Sequence, residues 1–149
     1  MALLEASVLI ARPVGDVWHY VTTAENLPVW VPVLHEVRQV TDGPVSEGTR
    51  WKGTMRLLGI GFSALVEFTR CEPTDVAELK SVESRLRFCC TVTFEESDDG
   101  TTRFTYRTDS ASGFDGLFGK FAGPIVSTAS KRALRASLIN LARALSVKD

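Results

Sequence analysis

Apolar and polar residues alternate at the start of the chain and then change period. Apolar side chains fall at every second position through residues 4–10, which predicts a β-strand with one buried face. Through residues 14–21 they recur at i, i+3, i+4 and i+7, the stripe of an amphipathic helix, and Pro13 suits its first turn. Thr22-x-x-Glu25 has the spacing of a capping box and predicts a second short helix.

From residue 33 to about residue 112 the period is two, which predicts six further strands. Gly59-Ile60-Gly61 and Asp99-Gly100 are hairpin signals between alternating segments. Residues 76–83 form a weak strand of unclear phase. One face of this region is apolar and the other is polar, so we predict an antiparallel meander with one solvated face.

The last third of the sequence has helical periodicity. Four leucines from Leu134 to Leu145 form one stripe of a helix that extends to about Val147. A sheet that is apolar on one face must be covered, and this helix is the only element large enough to cover it. We therefore predict an α+β fold in which a curved antiparallel sheet wraps around a long C-terminal helix, with two short helices after the first strand.

Length and composition narrow the class of protein. The chain has 149 residues, which predicts a single domain over residues 1–149. Hydrophobic residues make up 44%, enough for a core without metals or disulfides. The 17 basic and 18 acidic residues give a net charge of −1, which argues against a nucleic-acid partner.

Cysteine usage and the N-terminus predict a cytoplasmic protein. The three cysteines are an odd number, and Cys89 and Cys90 are adjacent, so a disulfide framework is not expected. The first apolar segment has no basic stretch before it and is interrupted by Glu5, which favours a strand over a signal peptide. No run approaches about 18 apolar residues, so no stable membrane insertion is predicted.

Signals for catalysis and metal binding are absent from the sequence. No cysteine, histidine or carboxylate spacing is typical of a zinc site, and no serine lies in a G-x-S-x-G context. Gly59-x-Gly61 has no predicted helix after it, so it indicates a hairpin turn and not a dinucleotide loop. We therefore assign no cofactor, no metal and no catalytic residue at this point.

The segment ARPVGDVWHYVTTAENLPVWVP, from Ala11 to Pro32, resembles the start of START-like, or SRPBCC, domains. In those domains a proline-led helix with a Val-Trp pair precedes an Asn-Leu-Pro-x-Trp-x-Pro segment. The hairpins and the final helix are also similar in order, so the resemblance covers nearly the whole chain. It is closest to the bacterial polyketide cyclase/dehydrase and lipid transport group. The resemblance implies the helix-grip fold, also called START-like or Bet v 1-like, with an apolar small molecule between sheet and helix.

The long helix also carries a stripe of mostly small residues, Val126, Ser130, Ala133 and Ser137. Small side chains opposite a concave sheet either leave room for a ligand or let helix and sheet touch. The apolar strand phases supply a predicted ligand-binding wall, although each residue would also fit an ordinary core. With Trp30 at one end and Ala133 on the helix, the predicted wall contains Trp51, Met55, Phe62, Val66, Phe88, Cys90, Phe104 and Tyr106.

Polar groups within such a wall would orient a ligand. His35 shares a predicted strand face with Val33 and Val37, and Tyr106 can anchor a carbonyl or hydroxyl through its O–H. Thr108 and Ser110 are further candidates.

A separate apolar stripe precedes the long helix. Phe114, Leu117, Phe118 and Phe121 lie at helical spacing among glycines. The stripe fits a flap over the mouth of a cavity, with Phe114, Phe118 and Phe121 touching the ligand, and it fits simple packing on the sheet equally well. Docking on a membrane surface is less favoured because Lys120 is the only basic residue nearby.

Three functions follow from these patterns. The first is binding or carriage of an apolar small molecule that is lipid-like, aromatic or polyketide-like. The second is a polyketide cyclase or dehydratase that uses the same cavity, with Tyr106 or His35 as acid or base. The third is a protein-interaction module built on the stripe from Phe114 to Phe121. The sequence leaves the ligand and the oligomeric state open.

Overall fold

Seven strands form one antiparallel sheet in the computed structural model, which describes residues 2–57, 59–82, 87–110 and 123–146. The elements in chain order are β1 (Ala2–Ile10), α1 (Val14–Val21), a 3₁₀ helix (Ala24–Asn26), α2 (Leu27–Trp30), β2 (Leu34–Gln39), β3 (Arg50–Leu57), β4 (Ile60–Glu72), β5 (Val76–Ser81), β6 (Phe88–Glu96), β7 (Thr102–Ser110) and α3 (Gly123–Ser146).

The sheet has the spatial order β1-β7-β6-β5-β4-β3-β2 and curls into a half-barrel. All neighbouring strands are antiparallel, and β1 joins the sheet beside the last strand in the chain. Within the described residues, α3 lies closest to β1 and α2. The predicted α+β fold with a curved sheet, two short helices and a long C-terminal helix is confirmed.

Aromatic side chains form the core on the concave side of the sheet. Phe104 is fully buried and contacts Phe94 edge to face, with ring centroids 5.2 Å apart. Trp51 and Phe68 form a second such pair at 4.8 Å. These contacts combine large apolar burial with the edge-to-face geometry that aromatic rings favour. The core therefore extends along the curled sheet from β7 to β3.

Glycines at two predicted hairpins adopt the left-handed backbone that their turns require. Gly59 lies between β3 and β4 with φ of 81°, and Gly100 lies between β6 and β7 with φ of 83°. Side chains disfavour this region, whereas glycine enters it at no steric cost. Both predicted hairpins are confirmed.

The predicted capping box at Thr22 and Glu25 is wrong. The Thr22 hydroxyl donates to the carbonyl of Trp18 at 2.7 Å. This hydrogen bond lies at the C-terminal end of α1 and does not cap the helix that follows. The next helix is a 3₁₀ turn that starts at Ala24, and no side chain caps it. A threonine at the end of a helix can bond backward to position i−4, and this local bond wins over capping here. Pro13 is likewise the residue before α1 and not inside its first turn.

The predicted face shared by Val33, His35 and Val37 is also wrong. Leu34 pairs with Met55 on β3, but Glu36 pairs with the next residue, Thr54, so the register shifts by one at His35. Such a bulge leaves one residue unpaired and reverses the alternation beyond it. His35 is exposed, and it stands outside the alternation that linked it to its neighbours.

Gly53 on β3 allows β2 to approach closely. A Cβ at this position would lie 2.9 Å from the backbone oxygen of Glu36 and 3.1 Å from Cγ2 of Val37. We expect Gly53→Ala to destabilise the fold by about 1–3 kcal/mol, because strand β2 would have to shift. Gly61→Ala is the matched control, since its Cβ would meet nothing closer than 3.8 Å. Urea unfolding of both variants measures the difference, and equal stability would contradict the expected clash.

Candidate functional site

The concave side of the sheet presents a set of inward-facing side chains, here called the inner face. Strand register defines it, since residues paired across strands share a face with the buried Trp51, Phe68 and Phe104. Its members include Leu4, Ala6, Val8, Ile10, Trp51, Met55, Phe62, Ala64, Val66, Phe68, Ala77, Leu79, Phe88, Cys90, Val92, Phe94, Phe104, Tyr106 and Thr108. The same pairing also places the polar residues Gln39, Ser81 and Thr102 on this face.

No member of the inner face carries a charge. Charged side chains of the same strands, such as Lys52 and Arg107, lie in the opposite phase and are exposed. In the inward phase of β6 the first charge is Glu96, at the exposed end of the strand. Its carboxylate accepts a hydrogen bond from the Val14 backbone N–H at the start of α1, 3.3 Å away. The middle of the inner face is therefore an apolar and uncharged surface.

Several inward-facing side chains keep part of their surface accessible. Trp51 and Phe104 are almost fully buried, yet residues paired with them or beside them are only half-buried. The half-buried members include Met55, Val66, Leu79, Phe88, Cys90 and Tyr106. Large apolar side chains in a close-packed interior lose nearly all of their accessible surface. Partial exposure on a concave face is therefore the property expected of a surface that receives a ligand.

Three polar side chains meet within this apolar surface. Cys90 and Thr108 are opposite each other on β6 and β7, and the Cys90 thiol donates to Oγ1 of Thr108 at 3.7 Å. The sulfur also lies 3.5 Å from the hydroxyl of Tyr106. We call these three residues the polar cluster. It is a part of the inner face that can hydrogen-bond to a ligand.

Burial determines the protonation of the polar cluster. Desolvation raises the pKa of the Tyr106 phenol well above its usual value, and the neighbouring Cys90 raises it further. Desolvation also raises the pKa of the Cys90 thiol, although hydrogen bonds with Tyr106 and Thr108 oppose that shift. Because burial disfavours the charged forms, both groups stay neutral and protonated near neutral pH.

Trp30 packs on the polar cluster from the helical side. It ends α2, is 2% exposed, and stands edge to face against Tyr106 and Phe104, with centroids 6.2 and 5.9 Å apart. Asn140 on α3 donates its side-chain amide to the Trp30 carbonyl at 3.4 Å. The indole Nε1–H is buried and has no acceptor within the described part of the chain. Trp30 thus links α3 to the inner face and leaves one buried donor unused.

The described part of α3 presents both large and small side chains inward. Leu134, Leu138, Leu141 and Leu145 are buried, as their predicted stripe requires. Ser137 is 3% exposed, and its hydroxyl donates to the Ala133 carbonyl one turn earlier at 2.7 Å. This internal bond satisfies the serine, so the helix adds no free polar group there.

The structure brings together most of the predicted site residues. Trp30, Trp51 and Phe62 are buried. Half-buried residues are Met55, Val66, Phe88, Cys90 and Tyr106 on the sheet and Ala133 on α3. Exposed His35 is not among the residues of the inner face, because the bulge changes its strand phase. The predicted flap residues Phe114, Phe118 and Phe121 lie outside the described residues.

Leu79 is an inner-face residue that the sequence analysis missed. It pairs with Phe68 on β4 and with Cys90 on β6, so it lies at the centre of the sheet. The phase of β5 was unclear because two consecutive residues, Val76 and Ala77, are both buried. Counting the alternation from Ala77 instead of Val76 would have placed Leu79 inward.

Metal binding and membrane spanning find no support in the described ranges. No three histidines, cysteines or carboxylates there come close enough to hold a metal ion. Among the helices of the same ranges, none has the length and apolar character needed to cross a bilayer.

A curled antiparallel sheet with a long C-terminal helix and two short helices is the fold of the helix-grip class of START-like proteins. Residues 1–146 match the family described as polyketide cyclase / dehydrase and lipid transport. The chain therefore belongs to this family, and the predicted resemblance is confirmed. Among curated proteins, none matches the chain in sequence.

Solved structures share the fold at low sequence identity. The Zhui aromatase/cyclase from Streptomyces sp. R1128 is 16% identical with a TM-score of 0.80, covering 97% of this chain and 93% of that one. A START superfamily protein from Mycobacterium smegmatis is 12% identical with a TM-score of 0.78, covering 97% of both chains. A protein from Thermus thermophilus is 17% identical with a TM-score of 0.72, covering 96% of this chain and 99% of that one. At these identities the similarity establishes the fold alone.

Proposed function

We propose that the protein binds and carries an apolar small molecule between the inner face and α3. The observation that carries this proposal is the uncharged inner face, whose central side chains stay half-buried beside fully buried neighbours. The position of α3 adds support, since among the described residues it approaches β1 and α2 most closely, at one side of the curled sheet. The space over β4 to β6 is where the ligand would lie.

Apolar burial alone is enough to retain a ligand at this surface. Covering about 200 Å² of apolar ligand surface contributes about 5 kcal/mol before the costs of association, at about 25 cal/mol/Å². The lining combines flat aromatic rings with adaptable groups such as Met55 and Leu79. An aromatic, lipid-like or polyketide-like molecule fits this chemistry.

Adjacent cysteines provide a matched test of ligand binding. Cys90 lies on the inner face, whereas Cys89 is half-buried on the opposite face of the same strand. We expect Cys90→Phe to weaken binding of the uncharged dye Nile red by about tenfold, because the added ring occupies ligand space. Cys89→Phe adds the same volume outside that space, so its affinity should match the unchanged protein.

Fluorescence titration of folded protein measures both affinities, and mass spectrometry of an organic extract reports any ligand that co-purifies. Absence of dye binding together with an empty extract contradicts the proposal. Equal weakening in both variants would contradict the assigned binding surface.

Cyclase or dehydratase activity is a second function that the same site supports, and Tyr106 is the observation that favours it. Its raised pKa makes the phenol a hydrogen-bond donor that can polarise a substrate carbonyl, and a poor base at neutral pH. We expect a synthetic poly-β-ketone thioester to cyclise faster with the protein than in buffer, and more slowly with Tyr106→Phe. Product analysis by liquid chromatography and mass spectrometry tests this. A rate equal to that in buffer would contradict the enzymatic function and leave ligand carriage as the only proposed function.

A further inference from the structure

Hydrogen-bond donors outnumber strong acceptors around the polar cluster. A thiol has a single proton, and that of Cys90 goes to Oγ1 of Thr108. The Tyr106 hydroxyl can then donate only to sulfur, which is a weak acceptor. The Thr108 hydroxyl proton has no acceptor among the described residues.

An unused donor in an apolar environment has a free-energy cost that an incoming acceptor removes. A ligand that covers the half-buried hydroxyls of Tyr106 and Thr108 displaces water from them, and leaving such a donor unpaired costs about 1–3 kcal/mol unless a ligand oxygen accepts its hydrogen bond. A hydroxyl group would bring another donor proton, whereas a carbonyl oxygen is an acceptor only. The balance of protons in the polar cluster therefore favours a carbonyl.

A carboxylate is an acceptor too, but its charge has no cationic partner among the described side chains of the inner face. The inner face carries no lysine, arginine or histidine that would offset the loss of hydration of an anion. Transfer of an ionised carboxylate into an apolar site without a cation is far more costly than transfer of a neutral carbonyl. The same face that accepts a ketone therefore rejects a fatty acid or an aromatic acid.

We propose that the polar cluster selects uncharged ligands that present a carbonyl oxygen and discriminates against carboxylates of the same size. This selectivity rests on the proposed function, because it assigns the ligand class of the same site. The cluster acts as a neutral donor site: Thr108 and Tyr106 donate to the ligand oxygen, and Cys90 holds the two hydroxyls in place from β6.

Protonation of the cluster supports a donor role over a wide pH range. Burial raises the pKa values of both Tyr106 and Cys90, so neither group loses its proton near neutral pH. The facing groups on the neighbouring strands, Leu79 on β5 and Ala6 on β1, do not titrate. Ketone affinity is therefore expected to stay constant between about pH 6 and about pH 8.

Three naphthalenes of similar size test the selectivity by isothermal titration calorimetry. The ketone 2-acetylnaphthalene presents a neutral acceptor, 2-ethylnaphthalene presents none, and 2-naphthoate presents a charged one. We expect the ketone to bind about fivefold more tightly than the ethyl compound, as one net hydrogen bond allows. The carboxylate is expected to bind at least about tenfold more weakly than the ketone.

Variants of the cluster separate the donors from the apolar surface. In the double variant Tyr106→Phe/Thr108→Val, the preference for the ketone over the ethyl compound should disappear, because neither hydroxyl remains to donate to the carbonyl. A circular dichroism spectrum that matches the unchanged protein shows that the double variant is folded. Thr93→Val is the matched control, because Thr93 lies on the outer face of β6, and it should keep the full ketone preference.

The outcomes distinguish a failure of the carbonyl selectivity from a failure of the proposed ligand-binding function. If none of the three naphthalenes binds and Nile red does not bind either, the proposed function fails. If all three bind with equal affinity, or 2-naphthoate binds best, ligand binding stands and the selectivity is overturned. A ketone preference that persists in the double variant would overturn the assignment of its donors to Tyr106 and Thr108.

Discussion

Replacing Trp30 by alanine is expected to lower the free energy of unfolding by about 3–5 kcal/mol, in the range measured for buried tryptophans and phenylalanines. Trp30 is 2% exposed, and its ring contacts both Phe104 and Tyr106 edge to face. Truncation removes these contacts and opens a cavity that the single turn of α2 and the curled sheet cannot close. Truncation also removes the buried and unpaired Nε1–H, and losing that unfavourable group offsets only a small part of the destabilisation.

Val29→Ala is the matched control for this change. Val29 is the preceding residue on the same turn of helix, but it is 60% exposed, so its truncation should change stability by less than about 0.5 kcal/mol. Urea unfolding followed by circular dichroism measures both variants. A loss below about 1 kcal/mol in Trp30→Ala would contradict the central packing role of this side chain.

Leu141→Ala is expected to cost about 2–5 kcal/mol, because this leucine is fully buried on the face of α3 that packs inward. It follows Asn140, whose amide donates to the Trp30 carbonyl, so the same turn of α3 carries a fully buried leucine and a hydrogen bond to α2. Weaker packing of this turn should therefore be seen as lower stability of the whole fold.

Ile139→Ala provides the comparison on the same helix. Ile139 is 57% exposed, so loss of its side chain removes little buried area and should change stability by less than about 0.5 kcal/mol. Thermal and urea unfolding of the pair measure the difference. Similar losses in both variants would show that α3 packs through a different face.

Element type was predictable because each strand and helix has its own period. The alternation through β1, β3 and β4, and the leucine stripe of α3, arise from burial of one face and so are present in the sequence itself. Positive φ at Gly59 and Gly100 follows the same logic, since glycine marks the turns that need it. These signals are local, and they specified the fold correctly.

Predictions that required the strand register to be correct to a single residue failed at two positions. At His35 a bulge reverses the alternation, and Val76 and Ala77 are both buried, which hid the inward position of Leu79. The residues around either position do not indicate the change of strand phase, because that change arises from pairing with a neighbouring strand. The capping box at Thr22 failed for a related reason, since two local hydrogen bonds compete for one hydroxyl.

By itself the sequence determined that the chain folds as a curved, one-sided antiparallel sheet with a long helix, and which phases of its strands are apolar. Only the tertiary structure decided that Cys90, Tyr106 and Thr108 meet, that the Trp30 indole is buried beside them without an acceptor among the described residues, and that His35 is exposed. Periodicity reports which side of an element is buried, because burial acts on every residue of that side. The meeting of particular polar atoms depends on strand register and sheet curvature, which are set by contacts between segments far apart in the chain.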